Sequence, residues 1–372
     1  MLSAELARRG HSVTIAAPEG ELARRAEAAN LKIAKGFHFR SPGRLRLFLA
    51  DRSRMSALLK RQAFDIVDVH GSQDSWVAAT VRAATGLPRC LVMTRHNTKR
   101  VRTNPANRWL YGRVDHLILV DESIRERYRP FLERGILDDA RVSVIPSAYR
   151  ADLFHEGVDG TRVRRELELP PGAVAVGVAG RLVEDKGHVH LLRAAASLRE
   201  SLPGIVLVFA GVGPNRPAIE AEIARLGLGG SVRILGFRQD IAEVQASFDV
   251  AVLPSVGCDA SSASIKEAMA LGVPAIASDI GGARGIIDDG VTGTIVPPAD
   301  PGALASALAR LIGDPASARA MAERGRRKVA GAYTIERLAD GTLEAYERAL
   351  AHAGLATGAE HGARRMRAGG TA

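Results

Sequence analysis

Short, β-branched apolar runs alternate with helical segments along nearly the whole chain, and this alternation limits the fold more than any other feature. Strand-like runs occupy 12–17, 31–33, 66–69, 90–94, 116–120 and 142–145, with helical segments at 2–9, 21–29, 45–61, 76–85 and 123–131 between them. A charged linker over 149–172 ends in Pro170-Pro171-Gly172, and the alternation then restarts. Strands follow at 174–179, 205–210, 232–235, 249–253, 273–278 and 294–296, interleaved with helices at 188–200, 217–226, 241–247 and 264–271. Helices at 301–312, 316–330 and 335–351 close the chain. Strand-helix repetition of this kind builds α/β domains with parallel, doubly wound sheets. Two such Rossmann-like domains facing across a cleft are expected, with ligands held outside the carboxyl ends of the strands.

The boundaries follow from the same pattern. Residues 1–165 form a first domain, 166–332 a second, and 333–353 a helix that could pack back on the first. Residues 354–372 are rich in Ala, Gly and Arg, have little to bury, and are expected to be disordered. The opening is unusual. A doubly wound domain normally starts with a strand and a Gly-rich turn, and that strand lies mid-sheet. Here the chain opens on the helix that should come next, so a first strand and its turn, about twenty residues, are expected to be absent from the first domain.

Composition narrows the function classes. At 372 residues the chain exceeds one ordinary domain. Its two cysteines, Cys90 and Cys258, make neither a disulfide framework nor a metal cluster and suit a reducing compartment. No apolar run approaches the roughly 18–20 residues that span a bilayer. Met1 runs directly into a helical pattern rather than a signal peptide, so a cytoplasmic protein is expected. The net charge of +10 is concentrated in the first half. Seven Lys or Arg stand against Asp51 alone over 40–61, and seven more with no acid over 89–113. Phe37, Phe39, Phe48, Trp109 and Tyr111 sit among them. Such runs suit a solvated face, an anionic membrane surface or an anionic acceptor. No nucleic-acid recognition module accompanies them, so nucleic acid is not an expected partner.

Candidate site residues cluster at strand ends. Gly180-Arg181-Leu182 and Lys186-Gly187 follow one strand, and Arg181 with Lys186 could clamp a diphosphate, one as a fork and one as a point charge. Gly211-Val212-Gly213-Pro214 follows the next, where glycines let backbone approach a ligand. It is not a GxGxxG fingerprint, which argues against a nicotinamide enzyme. The stretch 253–279 carries Asp259 in a loop and Glu267 in the helix after it. Backbone N–H groups point outward at such a junction and attract anions. Ser264 and Glu267 also fit a capping box, a purely structural role. His70 and His96 stand just past strand ends in the first half. His188 and His190 lack ligand-like partners, so no metal site is expected.

Taken in order, GRLVEDKG, AGVGPNR, VRILGF, LPSVGCDASSASIKEAMALGVPAIASDIGG and DGVTG resemble the family-4 retaining glycosyltransferases of GT-B fold, glycosyltransferase group 1. The likeness runs from about Leu6 to Tyr346 and is most specific in the second half. The resemblance implies a nucleotide-sugar donor, UDP- or GDP-linked, held by the second domain. Arg181 and Lys186 match the pyrophosphate-binding pair, with Gly180, Gly211 and Gly213 beside it. Glu267 matches the second acid of the Glu-x7-Glu motif, which binds the ribose, and Asp259 falls where the first acid meets the donor sugar. Ser262, Ala263, Ser264 and Ile265 match the stretch whose amides meet sugar and phosphate. Phe237 and Arg238 lie where the base is often held. On the acceptor side His96 matches a cleft histidine near the reacting sugar, with His70, Arg95 and Asn97 around it. His96, Asp259, Lys186 and Arg181 are the implied catalytic group. No cofactor and no metal are expected. The implied product is a cell-envelope polysaccharide or lipopolysaccharide, made from a glycan or glycolipid acceptor by a peripheral enzyme on the inner face of the cytoplasmic membrane. The chain departs from the family in several places. Asp259 is one methylene shorter than Glu. The serines at 261–264 replace a Gly-Phe-Gly turn, so backbone with positive φ is harder to reach. Ser147-Ala148-Tyr149-Arg150 replaces an Asn-Gly-Val-Asp turn, and Gly285 a common Glu. Other readings keep the fold: an epimerase or phosphorylase, or a non-catalytic or truncated, inactive nucleotide-sugar binder.

Overall fold

The computed structural model describes residues 1–39, 45–96, 101–257, 259 and 261–355. Asn97, Cys258, the basic residues Arg40, Arg44, Lys99 and Arg100, and the tail over 356–372 lie outside the described residues. The strands are β1 (Thr14–Ala16), β2 (Lys32–Ala34), β3 (Val67–Val69), β4 (Leu91–Arg95), β5 (His116–Leu119) and β6 (Val142–Val144) in the first half. They continue with β7 (Val174–Ala179), β8 (Ile205–Ala210), β9 (Val232–Gly236), β10 (Val250–Leu253), β11 (Ala275–Ser278) and β12 (Thr294–Val296). Each lies within a few residues of the run that the sequence marks.

The chain folds as two compact units, one of Met1–Pro146 with the chain from Ile335 onward, the other of Ser147–Thr334. The segment 147–165, placed in the first domain on sequence, belongs to the second unit. Tyr149 and Phe154 pack with Leu253, Met269 and Tyr333, and Val163 packs with Ala175 and Phe248. The linker's charge pattern concealed these apolar anchors.

The second unit holds a six-stranded parallel sheet in the order β12-β11-β10-β7-β8-β9. Its first strand, β7, lies mid-sheet: the chain winds out through β8 to β9, then returns to β10 and winds to β12. β8, β10 and β11 are buried at every position, and β7 at all but its first. Strands covered by helices on both faces must be apolar throughout, which is why these runs read as continuous rather than alternating. Val176, Leu207, Phe209 and Val252 form the core with Leu191 and Leu308 from the covering helices.

In the first unit β3-β4-β5-β6 form one parallel sheet, and β1-β2 a separate parallel pair. The C-terminal helix Ile335–His352 covers the larger sheet, placing Ala345, Ala349 and Leu350 against Cys90, Val92 and Ile118. Gly354 takes a left-handed φ of +67° and Leu355 N–H bonds Leu350 O at 2.9 Å, closing that helix. The basic helix over Leu45–Arg61 buries Asp51, Met55 and Leu59, while Leu45 and Leu49 are exposed. Phe37 and Tyr111, among the aromatics beside the basic runs, are buried: the Tyr111 hydroxyl lies 3.0 Å from that of Tyr128.

His188, 1% exposed, turns its ring edge-on to Phe209 at a centroid separation of 5.1 Å. Neither ring nitrogen has a hydrogen-bond partner among the described residues, and burial, aided by the Lys186 charge, lowers its pKa from 6.5 to about 4. The unfolded chain therefore takes up a proton that the native state refuses, and stability is lost as pH falls from about 6.5 toward about 4. His188→Leu keeps the packing and removes this titration. The acid-side decline of the thermal midpoint should be shallower in the variant, with the neutral-pH midpoint equal or higher, in melts run across that range.

Candidate functional site

In the parallel sheet of the second unit, the loops after β10, β7, β8 and β9 are neighbours at one end. Two of them are stitched together. The Asp185 carbonyl accepts the N–H groups of Val256 (2.8 Å) and Gly257 (3.2 Å). Gly187 turns with φ +64° so close to Pro254 that a Cβ there would meet its carbonyl oxygen at 1.9 Å. Across this seam Lys186 Nζ donates to Asp259 Oδ2 at 2.5 Å, both side chains largely buried. Ser255 Oγ donates to the same oxygen at 3.0 Å, and Ser262 N–H donates to Asp259 Oδ1 at 3.0 Å. The carboxylate thus fixes the cation, the loop and the start of the following helix together. Arg181 on the same loop is exposed, and its guanidinium has no partner among the described residues.

The helix after this loop spans Ala263–Ala270, with Ser262 as its N-cap. Ser262 adopts φ +40°, the left-handed conformation that a glycine would adopt freely, and it is held there by the bond to Asp259. Its Oγ is buried without a hydrogen-bond partner among the described residues. Ala263 is exposed, Ser264 half-buried and Ile265 buried. The capping box expected from Ser264 and Glu267 is not formed, because the N-cap is Ser262, two residues before Ser264, and Glu267 is held elsewhere. Gln245, itself buried, donates Nε2–H to Glu267 Oε2 at 3.0 Å. Burial of Glu267 raises its pKa above the usual carboxylate value, with the Gln245 bond and the Lys266 charge opposing.

The β8 loop lies against the β7 loop: Leu182 N–H bonds Val212 O at 3.0 Å and Asn215 N–H bonds Leu182 O at 2.9 Å. Gly213 is required there, since a Cβ would meet the Leu182 carbonyl oxygen at 2.2 Å. Gly180 continues the β7–β8 ladder, its N–H on Ala210 O at 2.9 Å, and Gly211 lies against the Gly180 carbonyl. At the end of β9, Phe237 is 71% exposed. Arg238 is different: its guanidinium is committed to Glu166 and Asp240, which hold its pKa above the ordinary arginine value. That network, extended by Arg162, ties Arg238 to the unit's own structure.

In the first unit, His70 and His96 follow β3 and β4. Their rings stack at 5.2 Å and 20°, with His70 Nδ1 2.9 Å from His96 Nε2. Desolvation, then the His70 and Arg95 charges, lower the His96 pKa to about 4, so the ring is neutral at pH 7. Behind them Asp68 accepts from Thr94 Oγ1 (3.0 Å) and Tyr346 OH (2.9 Å) and lies 3.6 Å from His70 Nε2. Arg95 Nε is buried with no hydrogen-bond partner among the described residues.

Sequence reasoning missed Ser255, Gln245 and Lys266. Ser255 stands in the singled-out stretch but looked like a loop breaker. Gln245 lies 22 positions before the acid that it holds, with no local signal. Lys266, 1% exposed, donates Nζ–H to Ser147 O at 2.5 Å and to Ser147 Oγ at 2.8 Å, tying the site helix to the start of the unit.

Comparison with known proteins gives the family. The family model described as Glycosyltransferase Family 4 matches residues 1–153, and the one described as Glycosyl transferases group 1 matches residues 159–328. The chain belongs to the family-4 glycosyltransferases of group 1, and its fold is GT-B. Among individual relatives, the D-inositol 3-phosphate glycosyltransferase of Corynebacterium urealyticum is 33% identical over 218 residues, 56% of this chain and 51% of that protein. The chain thus spans about half the length of that curated relative. A glycosyltransferase from Rickettsia africae shares the fold with a TM-score of 0.82 at 19% identity, covering 94% of this chain and 93% of its own. Anabaena HepE, solved in complex with UDP-glucose, does so with a TM-score of 0.76 at 20% identity, covering 92% and 93%.

Asp259→Ala leaves Lys186 largely buried without its counter-charge and releases Ser262 and Ser255. Breaking a buried pair from one side costs about 3–5 kcal/mol, and the partial exposure of Lys186 places the expected loss near the lower end. Chemical denaturation followed by a probe in the second unit checks this. An unchanged midpoint would show that the pair carries no stability.

Proposed function

We propose that the chain is a retaining glycosyltransferase that moves a sugar from a UDP- or GDP-sugar to a glycan or glycolipid acceptor in cell-envelope polysaccharide or lipopolysaccharide synthesis. The observation that supports this best is the Lys186–Asp259 pair on the same loops as Arg181, whose guanidinium has no partner among the described residues, where those loops meet the N-terminus of the helix Ala263–Ala270. In this reading Arg181 and Lys186 take the charge of the departing nucleoside diphosphate, aided by the amides at the start of that helix over Ser262, Ala263, Ser264 and Ile265. Glu267, oriented by Gln245, binds the ribose. Asp259 meets the donor sugar while holding Lys186. Phe237 offers an exposed face for the base, and Arg238 supports that end through its ion pairs. Gly180 leaves open space beside Arg181 for the diphosphate, while Gly211 and Gly213 let the β7 and β8 loops close against each other.

The bond from the anomeric carbon to phosphate breaks and a bond to the acceptor oxygen forms on the same face. The acceptor's proton passes to the leaving diphosphate oxygen. Cationic side chains and helix-end amides can supply this stabilisation, so the reaction is proposed to need no metal. His70, Arg95, His96 and Asn97 serve the acceptor, with His96 neutral at pH 7. The name of the Corynebacterium relative points to a phosphorylated polyol as an acceptor worth including. Among the described residues no helix is long and apolar enough to cross a membrane. The exposed Leu45 and Leu49 beside Arg46 suit peripheral attachment to an anionic inner leaflet.

Nucleoside diphosphate release, measured for UDP- and GDP-sugars with and without acceptors, tests the activity. Lys186→Ala and Glu267→Ala should each lower turnover by about 100-fold or more. Wild-type turnover that survives both substitutions would remove the proposal, and the anomeric configuration of the product tests retention. Separately, flotation with liposomes should show binding that rises with anionic lipid and falls with salt. Binding indifferent to both would sink the membrane assignment.

A further inference from the structure

The arginines around one helix of the first unit differ in whether an acid meets them. The helix Glu122–Leu132 buries Ile124, Tyr128 and Phe131. Arg125 pairs with Glu122 and Asp139, and Arg129 with Glu126. Arg127 on the same helix and Arg134 in the turn after it are exposed and have no ion pair among the described residues. Both line a cavity of about 860 Å³, and so do Pro130 and, from the segment after β4, Arg102 and Thr103. Arg102 is likewise exposed and without an ion pair among the described residues. The acid on the cavity wall, Glu126, already has its counter-charge in Arg129.

The backbone that carries these arginines is fixed. Asn107 Nδ2–H donates to the Arg102 carbonyl at 2.8 Å, and Asn104 Oδ1 accepts the Asn107 N–H at 2.8 Å as the cap of the helix Pro105–Tyr111. Beyond the other helix, Gly135 N–H bonds Leu132 O and Ile136 N–H bonds Phe131 O, each at 2.9 Å, which closes the turn that holds Arg134. Three guanidinium groups facing one hollow repel each other, and a bound anion relieves that repulsion. A carboxylate brings one charge. A phosphate group brings up to two, with several oxygens that guanidinium forks meet in pairs. The hollow is far larger than a phosphate ion and lies in the size range that encloses a small organic ligand, so the phosphate is carried on a larger body. Pro130 has no N–H, which leaves the Glu126 carbonyl without its helical donor and open to a hydroxyl of that body.

We infer that this cavity binds a phosphate group carried on a polyol, with Arg102, Arg127 and Arg134 as its cationic ligands and Thr103 as a further hydroxyl donor. The same chemistry is offered by a soluble polyol phosphate and by the phosphoglycerol headgroup of a lipid. This inference does not depend on the transferase reading, because binding needs neither a sugar donor nor turnover.

Calorimetric titration with glycerol phosphate, and with glycerate as a carboxylate on a similar body at matched ionic strength, reads the site in the full chain. Glycerol phosphate should bind about tenfold or more tightly than glycerate. Arg127→Ala together with Arg134→Ala should weaken that binding by about tenfold or more. Lys60→Ala together with Arg61→Ala removes the same charge from the exposed end of the helix Leu45–Arg61 and should change it by less than about twofold. Neither pair should move the thermal midpoint appreciably, since all four side chains are exposed. Flotation with phosphatidylglycerol vesicles, against vesicles brought to equal charge with oleate, reads the second source. Binding of glycerol phosphate that depends on Arg127 and Arg134 supports the inference and assigns the site to a soluble ligand. A preference for phosphatidylglycerol vesicles alone, with the same dependence, supports it and assigns the site to a headgroup. Equal binding of the carboxylate probes, equal losses in the two double variants, or no arginine-dependent binding in either arm overturns it.

Discussion

The second unit's candidate site depends on one carboxylate. Asp259 accepts from Lys186, from Ser255 and from the Ser262 N–H, so a single buried group holds a cation, a loop and a helix start in fixed relation. A carboxylate with several donors converging on it has little freedom to move. Its shorter reach, one methylene less than glutamate, is matched by the seam between the β7 and β10 loops. Gly187 lies against the Pro254 carbonyl, and the two loops share hydrogen bonds. Ser262 adopts the left-handed backbone expected of glycine because the bond to Asp259 offsets the steric cost.

Around this centre the polar side chains differ in how free they are. Arg181 is exposed and its guanidinium has no partner among the described residues. Arg238 is locked to Glu166 and Asp240, which suits a structural support better than a direct ligand contact. Glu267 is buried and held by Gln245 rather than by the helix cap, so its carboxylate is oriented by a neighbouring helix. In the first unit, His96 is kept neutral by burial and by neighbouring positive charge, and His70 fixes the position of its Nε2.

The strand positions, their parallel winding and the family were readable from the sequence, because strands buried on both faces must be written as short continuous apolar runs whatever else the chain does. Arg181, Lys186, Asp259 and Glu267 stood out in the sequence as candidates because charged residues just past a buried strand are not demanded by the core. The unit boundary was not readable. Tyr149, Phe154 and Val163 are sparse apolar anchors in a charged segment, and their partners lie far along the chain.

What the sequence determined by itself was local: periodicity, turn residues, and which side chains stand at strand ends. Tertiary structure alone decided the pairings that give those side chains their character. Lys186 meets Asp259 across 73 positions and Lys266 meets Ser147 across 119, while Tyr346 reaches Asp68 across 278. The physical reason is that a hydrogen bond or ion pair between distant residues leaves no periodic trace in the chain. It arises only when the sheet order brings two strand ends together, and that order is set by the packing of the whole unit.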